Sequence, residues 1–421
     1  MDAVGEVPVE IRERAARWLA TGDALTALKV VGPFGGPHAL AIRGIALAQM
    51  GAHAEAHGAL DRAAQAFAAA GAERERARAM AALGEIALAR RDLGEARRAL
   101  EEASEALGRA GDRINATWAR LGAARAALLE GRVVEAERAL AAAEAMVPDE
   151  APALTKAVLS LSRAEIEARL LRAAPAQRDA EQAVAWAEAS GHPRIIVETT
   201  RFLRAHEAPV ARIVAGGREA PARLADVEAL MSASAGRVVV DTLRRRIVEG
   251  GAVRADFANR PVLFAMVEVL SRAYPEAIAS ADMMHAAFGA RTLNDSHRRR
   301  LRVEIGRLRS AMDVGTVKAL GNAYRWEIEG DVEVVVLAPL DPGDAGAIAA
   351  LLSDGATWSA PAIARALCKS TRTVQRALAE LVEAKAVEAT GSGPARRYAR
   401  PRAAFSTASQ MLLLGLLLPS Q

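Results

Sequence analysis

Small and aliphatic positions recur through the first half of the chain at a spacing near 40. Gly44, Gly84, Ala124 and Ala168 are each followed at plus 12, plus 16 and plus 19 by a small, an aliphatic and a small residue. The sets are Ala56/Leu60/Ala63, Ala96/Leu100/Ala103, Ala136/Leu140/Ala143 and Ala180/Val184/Ala187. Small side chains where two helices cross let the backbones approach, and the larger residue fills the gap between hairpins. The pattern predicts stacked helical hairpins, with an incomplete unit at about 11–31 capping the N-terminal end.

From 236 to 330 the pattern changes. Val238-Val239-Val240 and Arg246-Ile247-Val248 read as strands joined by turns. Pro261 opens a helix with Leu263, Phe264, Val267 and Leu270 on its apolar face and Pro275 closing it. Ser280 and Asp282 begin a second, ending at Phe288 and Gly289. A third follows Asn294-Asp295, with Leu301, Ile305, Leu308 and Met312 on one face and Arg298, Arg299 and Arg302 elsewhere. The segment 315–326 reads as a hairpin. Further on, Ser359 caps a short helix, a turn falls at Cys368-Lys369, and Ser370 caps another helix. Its apolar face is Val374, Leu378 and Leu381, which leaves Thr371, Arg372, Gln375 and Arg376 outside. A polar hairpin through 391–394 returns as Ala395-Arg396-Arg397-Tyr398.

Three resemblances follow. The spacing in the first half resembles the tetratricopeptide repeat, with Pro148 where that motif ends its second helix, although the period exceeds the usual 34; a generic α-solenoid has almost the same consequence. Such arrays offer a concave surface to a peptide or protein segment, or occasionally a small ligand. In this register the surface carries Trp118, Leu121, Arg125, Glu165 and Arg169, with inter-helix packing the competing reading for Trp118. The lysine and asparagine set that clamps a C-terminal carboxylate in some members is absent from the matching positions.

The middle segment resembles the OmpR/PhoB-class output domain, through LRVEIGRLRSAM on the third helix and TVKALGNAYRW in the hairpin. That resemblance implies that Arg298, Arg299 and Arg302 face the major groove and that Lys318 and Arg325 serve the wing. Glu304 stands where a histidine is common, and near a phosphate it would repel. The repeat array stands where a receiver domain would precede the module, so the expected input is a bound partner and not aspartyl phosphorylation. The segment 359–398 looks like a winged helix of the broad MarR/ArsR-like class, with Thr371, Arg372, Gln375 and Arg376 on its recognition helix and Arg396 and Arg397 on its returning strand.

The expected fold is mainly α: an N-terminal α-solenoid over 1–215, a linker at 216–235, a winged helix at 236–330, a linker at 331–343, a second winged helix-turn-helix at 344–402 and an apolar tail at 403–421. The run 411–419 is too short to span a bilayer. It should be covered, either against its own domain or as a homodimer contact.

Composition narrows the function. The 421 residues are 52% hydrophobic and 25% charged, an ordinary globular balance. One cysteine rules out a disulfide framework, and no signal pattern or membrane-length apolar run is visible, so the expected location is cytoplasmic. Fifty arginines against five lysines fit a GC-rich bacterial genome as well as any chemistry. The net charge of +4 hides two clusters: seven arginines against Asp295 and Glu304 in 290–310, and eight basic residues against three glutamates in 368–402. Uneven charge of this kind marks nucleic-acid-binding modules.

The glycine-rich stretch 32–37 lacks the Lys-Ser/Thr pair of a phosphate loop, and His53 with His57 lacks further zinc ligands. Cys368 sits in the turn, where a small buried residue is commonplace. No catalytic signature appears, so neither enzyme activity nor a cofactor or metal is expected. The expectation is a bacterial transcriptional regulator that binds double-stranded DNA and whose repeat array senses or docks a protein, peptide or ligand signal. The alternative is a non-enzymatic scaffold whose winged helices dock protein.

Overall fold

The first half is built from good helix formers punctuated by residues in the left-handed region. Gly51 and Gly71 have φ of 85° and 68°, and Arg91 occupies the same place at 64°. At these points the helix ends on a 6→1 backbone bond: Ala52 N donates to Leu47 O, Ala72 N to Phe67 O and Asp92 N to Ala87 O, all at 2.9 Å. Glycine takes that conformation without a Cβ penalty, whereas Arg91 and Leu171, at φ 58°, carry the strain of a side chain there.

The computed structural model describes residues 5–232, 236–289, 292–341, 343–352, 357–367 and 369–399. Among the described residues eleven helices begin before His206: α1 (Val9–Ala20), α2 (Ala24–Val31), α3 (Gly36–Gln49), α4 (His53–Ala69), α5 (Glu73–Ala89), α6 (Leu93–Arg109), α7 (Arg113–Leu129), α8 (Val133–Met146), α9 (Ala153–Arg169), α10 (Ala173–Ser190) and α11 (Pro193–Glu207). From α1 to α10 each packs on the next. Where α3 meets α4, a Cβ on Gly44 would lie 2.6 Å from Leu60 Cγ; where α5 meets α6, a Cβ on Gly84 would lie 2.7 Å from Leu100 Cγ. Any larger residue at these crossings forces the helices apart.

The chain divides into two compact units at Ala205/His206, and the second is mixed. Its six-stranded sheet has the order β2-β1-β9-β3-β4-β5, from β1 (Ala211–Ala215), β2 (Arg218–Ala222), β3 (Arg237–Asp241), β4 (Arg246–Glu249), β5 (Ala252–Asp256) and β9 (Glu333–Pro339). Strands β3 and β9 are parallel and every other neighbouring pair is antiparallel. Helix α12 (Leu224–Ser232) follows β2, and α13 (Pro261–Ala273), α14 (Ser280–Phe288) and α15 (Asp295–Ala311) follow β5. A second sheet, ordered β6-β8-β7, comes from β6 (Ile278–Ala279), β7 (Thr316–Leu320) and β8 (Ala323–Glu327). Phe257, Phe264, Val267, Leu301, Leu308 and Trp326 share one buried cluster with strand residues Val238 and Val336.

The described parts of both expected linkers contain regular structure, and the first boundary moves. Residues 211–215 belong to the large sheet, β2 and α12 occupy most of 216–232, and β9 runs through the expected linker at 331–343. Its Val334–Leu337 stretch is buried between β1 and β3. A central strand buried on both faces reads as a continuous apolar run, not an alternation, so it gives a weak local signal.

A smaller core follows. Helices α16 (Gly343–Leu351), α17 (Ala360–Leu367) and α18 (Thr371–Glu383), with β10 (Glu388–Thr390) and β11 (Arg397–Ala399), bury Ile348, Ile363, Val374, Leu378, Leu381 and Tyr398. Trp358 adds a bridge to β11, exchanging two 2.8 Å backbone bonds with Tyr398. The architecture is mainly α with small β-sheets in the C-terminal part. No helix among the described residues is long and apolar enough to cross a membrane. Cys368 and the tail at 403–421 lie outside the described residues.

Candidate nucleic-acid interface

Helix α15 is fixed before its arginines are considered. The Asn294 side chain accepts from the His297 amide at 3.1 Å, and His297 Nδ1 accepts from the Asn294 amide at 3.3 Å, so the N-terminus is capped reciprocally. Leu301, Ile305 and Leu308 are buried against the module core. The opposite face leaves Arg298, Arg299, Arg302, Val303, Gly306 and Arg307 exposed.

Each arginine has a different neighbourhood. Arg298 donates to Asp295 at 3.0 Å and Arg300 lies 4.6 Å over the Phe288 ring. Arg307 donates to Glu304 at 3.0 Å. Arg299 and Arg302 have no carboxylate partner among the described residues. Glu304 is not on the outward face, where it would oppose a phosphate. It is packed on the inner flank with a side chain 10% exposed, and Arg307 closes over it. The reason is helical geometry: residue 304 falls three positions after Leu301 and four before Leu308, on the buried stripe.

In the hairpin, Gly321 at φ 61° and Asn322 make a two-residue turn between β7 and β8. Lys318 and Arg325 stand directly opposite in the register, and both reach the Glu327 carboxylate. Hydrogen bonds from Arg325 and then Lys318 hold the Glu327 carboxyl below its usual value. Two cations therefore share one anion there, a partner that the placing of Lys318 and Arg325 on the wing did not include.

Helix α18 begins at Ser370, whose hydroxyl accepts from the Thr373 amide at 3.1 Å. Val374, Ala377, Leu378 and Leu381 are buried, while Thr371, Arg372, Gln375 and Arg376 are exposed in its first two turns. Arg376 is within 4.0 Å of Glu380. The returning strand starts at Arg397, one residue pair later than the pattern implies, because 393–395 form a turn of 3-10 helix. Arg396 lies 5.4 Å over the Tyr398 ring and Arg397 is exposed. The two sets of expected residues thus lie on α15, α18 and the two hairpins.

The residues expected on a concave partner surface do not lie together on one. Trp118 and Leu121 are each 1% exposed, and Trp118 Nε1 donates to Thr155 Oγ1 at 3.0 Å, so both are internal packing. Arg125 is buried with Glu165 at 3.5 Å and Glu198 at 3.8 Å. Arg169 alone of the five is exposed. Sequence reasoning missed Val303, an exposed β-branched residue one turn beyond Arg299, and Glu327. The former was readable from spacing, since 303 lies opposite the buried stripe. The latter needed the register across the hairpin.

No protein-family model matches the chain, and no curated protein is significantly similar to it.

Proposed function

We propose that the chain is a sequence-specific DNA-binding transcriptional regulator of the cytoplasm, with two winged-helix modules following a tetratricopeptide-like input array. One observation carries the reading: on the well-anchored helix α15, Arg299 and Arg302 face outward with no carboxylate partner among the described residues. Arginines held this way on a capped helix are suited to phosphates and to guanine edges, and the neighbouring Val303 to a thymine methyl. Helix α18 repeats the logic with Arg372 and Gln375, and Lys318, Arg325, Arg396 and Arg397 serve the two hairpins.

Phosphate contacts supply affinity by releasing counterions. With ~6 such contacts, log K for duplex DNA falls with log salt at a slope near −5. Fluorescence anisotropy with a duplex library from about 50 to 200 mM salt tests this. A flat response, or no binding at low salt, favours the rival reading of a scaffold whose helices dock protein.

A further inference from the structure

We propose that the first helices of the array hold a binding site for a small amphiphilic carboxylate, a medium-chain fatty acid or an acid of similar size. A cavity of about 270 Å³ opens among α1, α3, α4 and α5. Its floor is apolar and buried: Ile42, Ile45, Leu60 and Phe67. A dry apolar pocket of about 150 Å³ accommodates a benzene-sized body, so this one accommodates a chain of roughly eight to ten carbons.

The polar end is set by Arg12. Two other arginines line the cavity, but Arg78 donates to Asp112 at 2.7 Å and Arg74 to Glu75 at 3.2 Å. Arg12 instead donates to His38 Nε2 at 2.7 Å, and His38 Nδ1 meets Glu6 at 2.8 Å. Because guanidinium only donates, Nε2 accepts and the ring proton sits on Nδ1, towards Glu6. His38 is thereby a neutral partner for Arg12, which has no carboxylate at hydrogen-bond distance among the described residues. The Arg12 Nε–H is buried without an acceptor. A half-satisfied guanidinium beside an apolar cavity favours a ligand that brings one anionic, planar acceptor and an apolar body. Glu13 and Glu75 also line the cavity and disfavour a second negative charge, which selects monocarboxylates over diacids.

That this ligand is the input rests on the regulator reading; its binding does not. Isothermal titration of the full chain with octanoate, 1-octanol and octylamine separates the two. Octanoate should bind at one site at least ~10-fold more tightly than the alcohol or the amine, a ratio that one charge-assisted contact supplies. Arg12→Gln should lose that preference, Arg12→Lys should retain part of it, and Ala41→Leu, which fills the cavity, should weaken all ligands. Octanoate binding no tighter than octanol, or unchanged in Arg12→Gln with an unchanged melting curve, overturns the site. If Arg12→Gln does not fold, the wild-type comparison and Arg12→Lys still decide. Octanoate binding that leaves DNA affinity unaltered keeps the site and removes only its role as input.

Discussion

Arginine meets different partners between the helices before His206 and along α15. Before His206 it clamps helices: Arg78 donates to Asp112, Arg97 to Glu130, and Arg163 to both Glu144 and Asp179, each across 16 or more residues of sequence. Along α15 the carboxylates in reach among the described residues are within the same helix, as Asp295 and Glu304, and Arg299 and Arg302 have none. The side chain is always charged, so what it does is decided by whether folding brings a distant carboxylate to it. Arg78, Arg97 and Arg163 are engaged between helices, whereas Arg299 and Arg302 have no carboxylate partner among the described residues.

The most severe way to break this contrast is to remove the scaffold that displays the second set. Leu308 is fully buried in the module core. Leu308→Asp places an unpaired carboxylate there, at a cost of about 5 kcal/mol. Calorimetry should show loss of the transition belonging to the unit after His206, with the array's transition retained. An unchanged thermogram would mean that α15 is not anchored by this face.

A sharper comparison exchanges arginines between the two classes. Arg299→Ala with Arg302→Ala should lower duplex affinity at least ~10-fold at unchanged melting temperature, because exposed side chains contribute little to stability. Arg163→Ala should do the reverse, lowering the array's stability by roughly 1 kcal/mol while leaving DNA affinity alone. If the α15 changes destabilise the fold and spare binding, the outward face has been assigned wrongly.

Much of this contrast was legible in the sequence, and the missing part has a common cause. The stripe Leu301, Ile305, Leu308, Met312 and the Ser370 cap are local patterns, readable from spacing alone, and the structure has them. So are the small residues Gly44 and Gly84 at close helix contacts. What escaped depends on partners far along the chain. Strand β9 joins β1 across more than a hundred residues and looks like a linker until it is paired. Trp118 looks available until Thr155 and the neighbouring helices bury it. Lys318 and Arg325 look free until the hairpin register brings Glu327 between them.

A smaller effect probes charge inside the array. Glu85 is 2% exposed, neither of its carboxylate oxygens has a hydrogen-bond partner, and Gly122 on the facing helix leaves no room for a Cβ beside it. Burial pushes its pKa well above the usual glutamate value of 4.5, with Arg125 opposing the shift. In the unfolded chain the group ionises near 4.5, so the contribution of Glu85 to stability is full below that pH and is lost progressively as pH rises towards the folded value. Glu85→Gln has no proton to release. Its melting temperature should match wild type in acid and exceed it by a few degrees at neutral pH. Equal pH dependence in the two proteins would show that Glu85 is not held neutral.

The smallest expected effect is at Glu327, where the two uses of arginine meet in one hairpin. Because hydrogen bonds from Arg325 and Lys318 depress its pKa, Glu327 stays ionised through neutral pH and the pairing is lost only below the depressed value. At working pH it therefore cancels one of the two cations that the proposed wing offers to phosphate. Glu327→Gln keeps the shape and removes the charge. If the hairpin lies along DNA, the variant should bind about 2- to 5-fold more tightly and steepen the salt slope by about 1, the increment of one additional neutralised phosphate. Melting should be almost unchanged, since the exposed pair contributes little. Affinity and slope equal to wild type would place β7 and β8 away from the phosphates and leave α15 to make the contacts of that module alone.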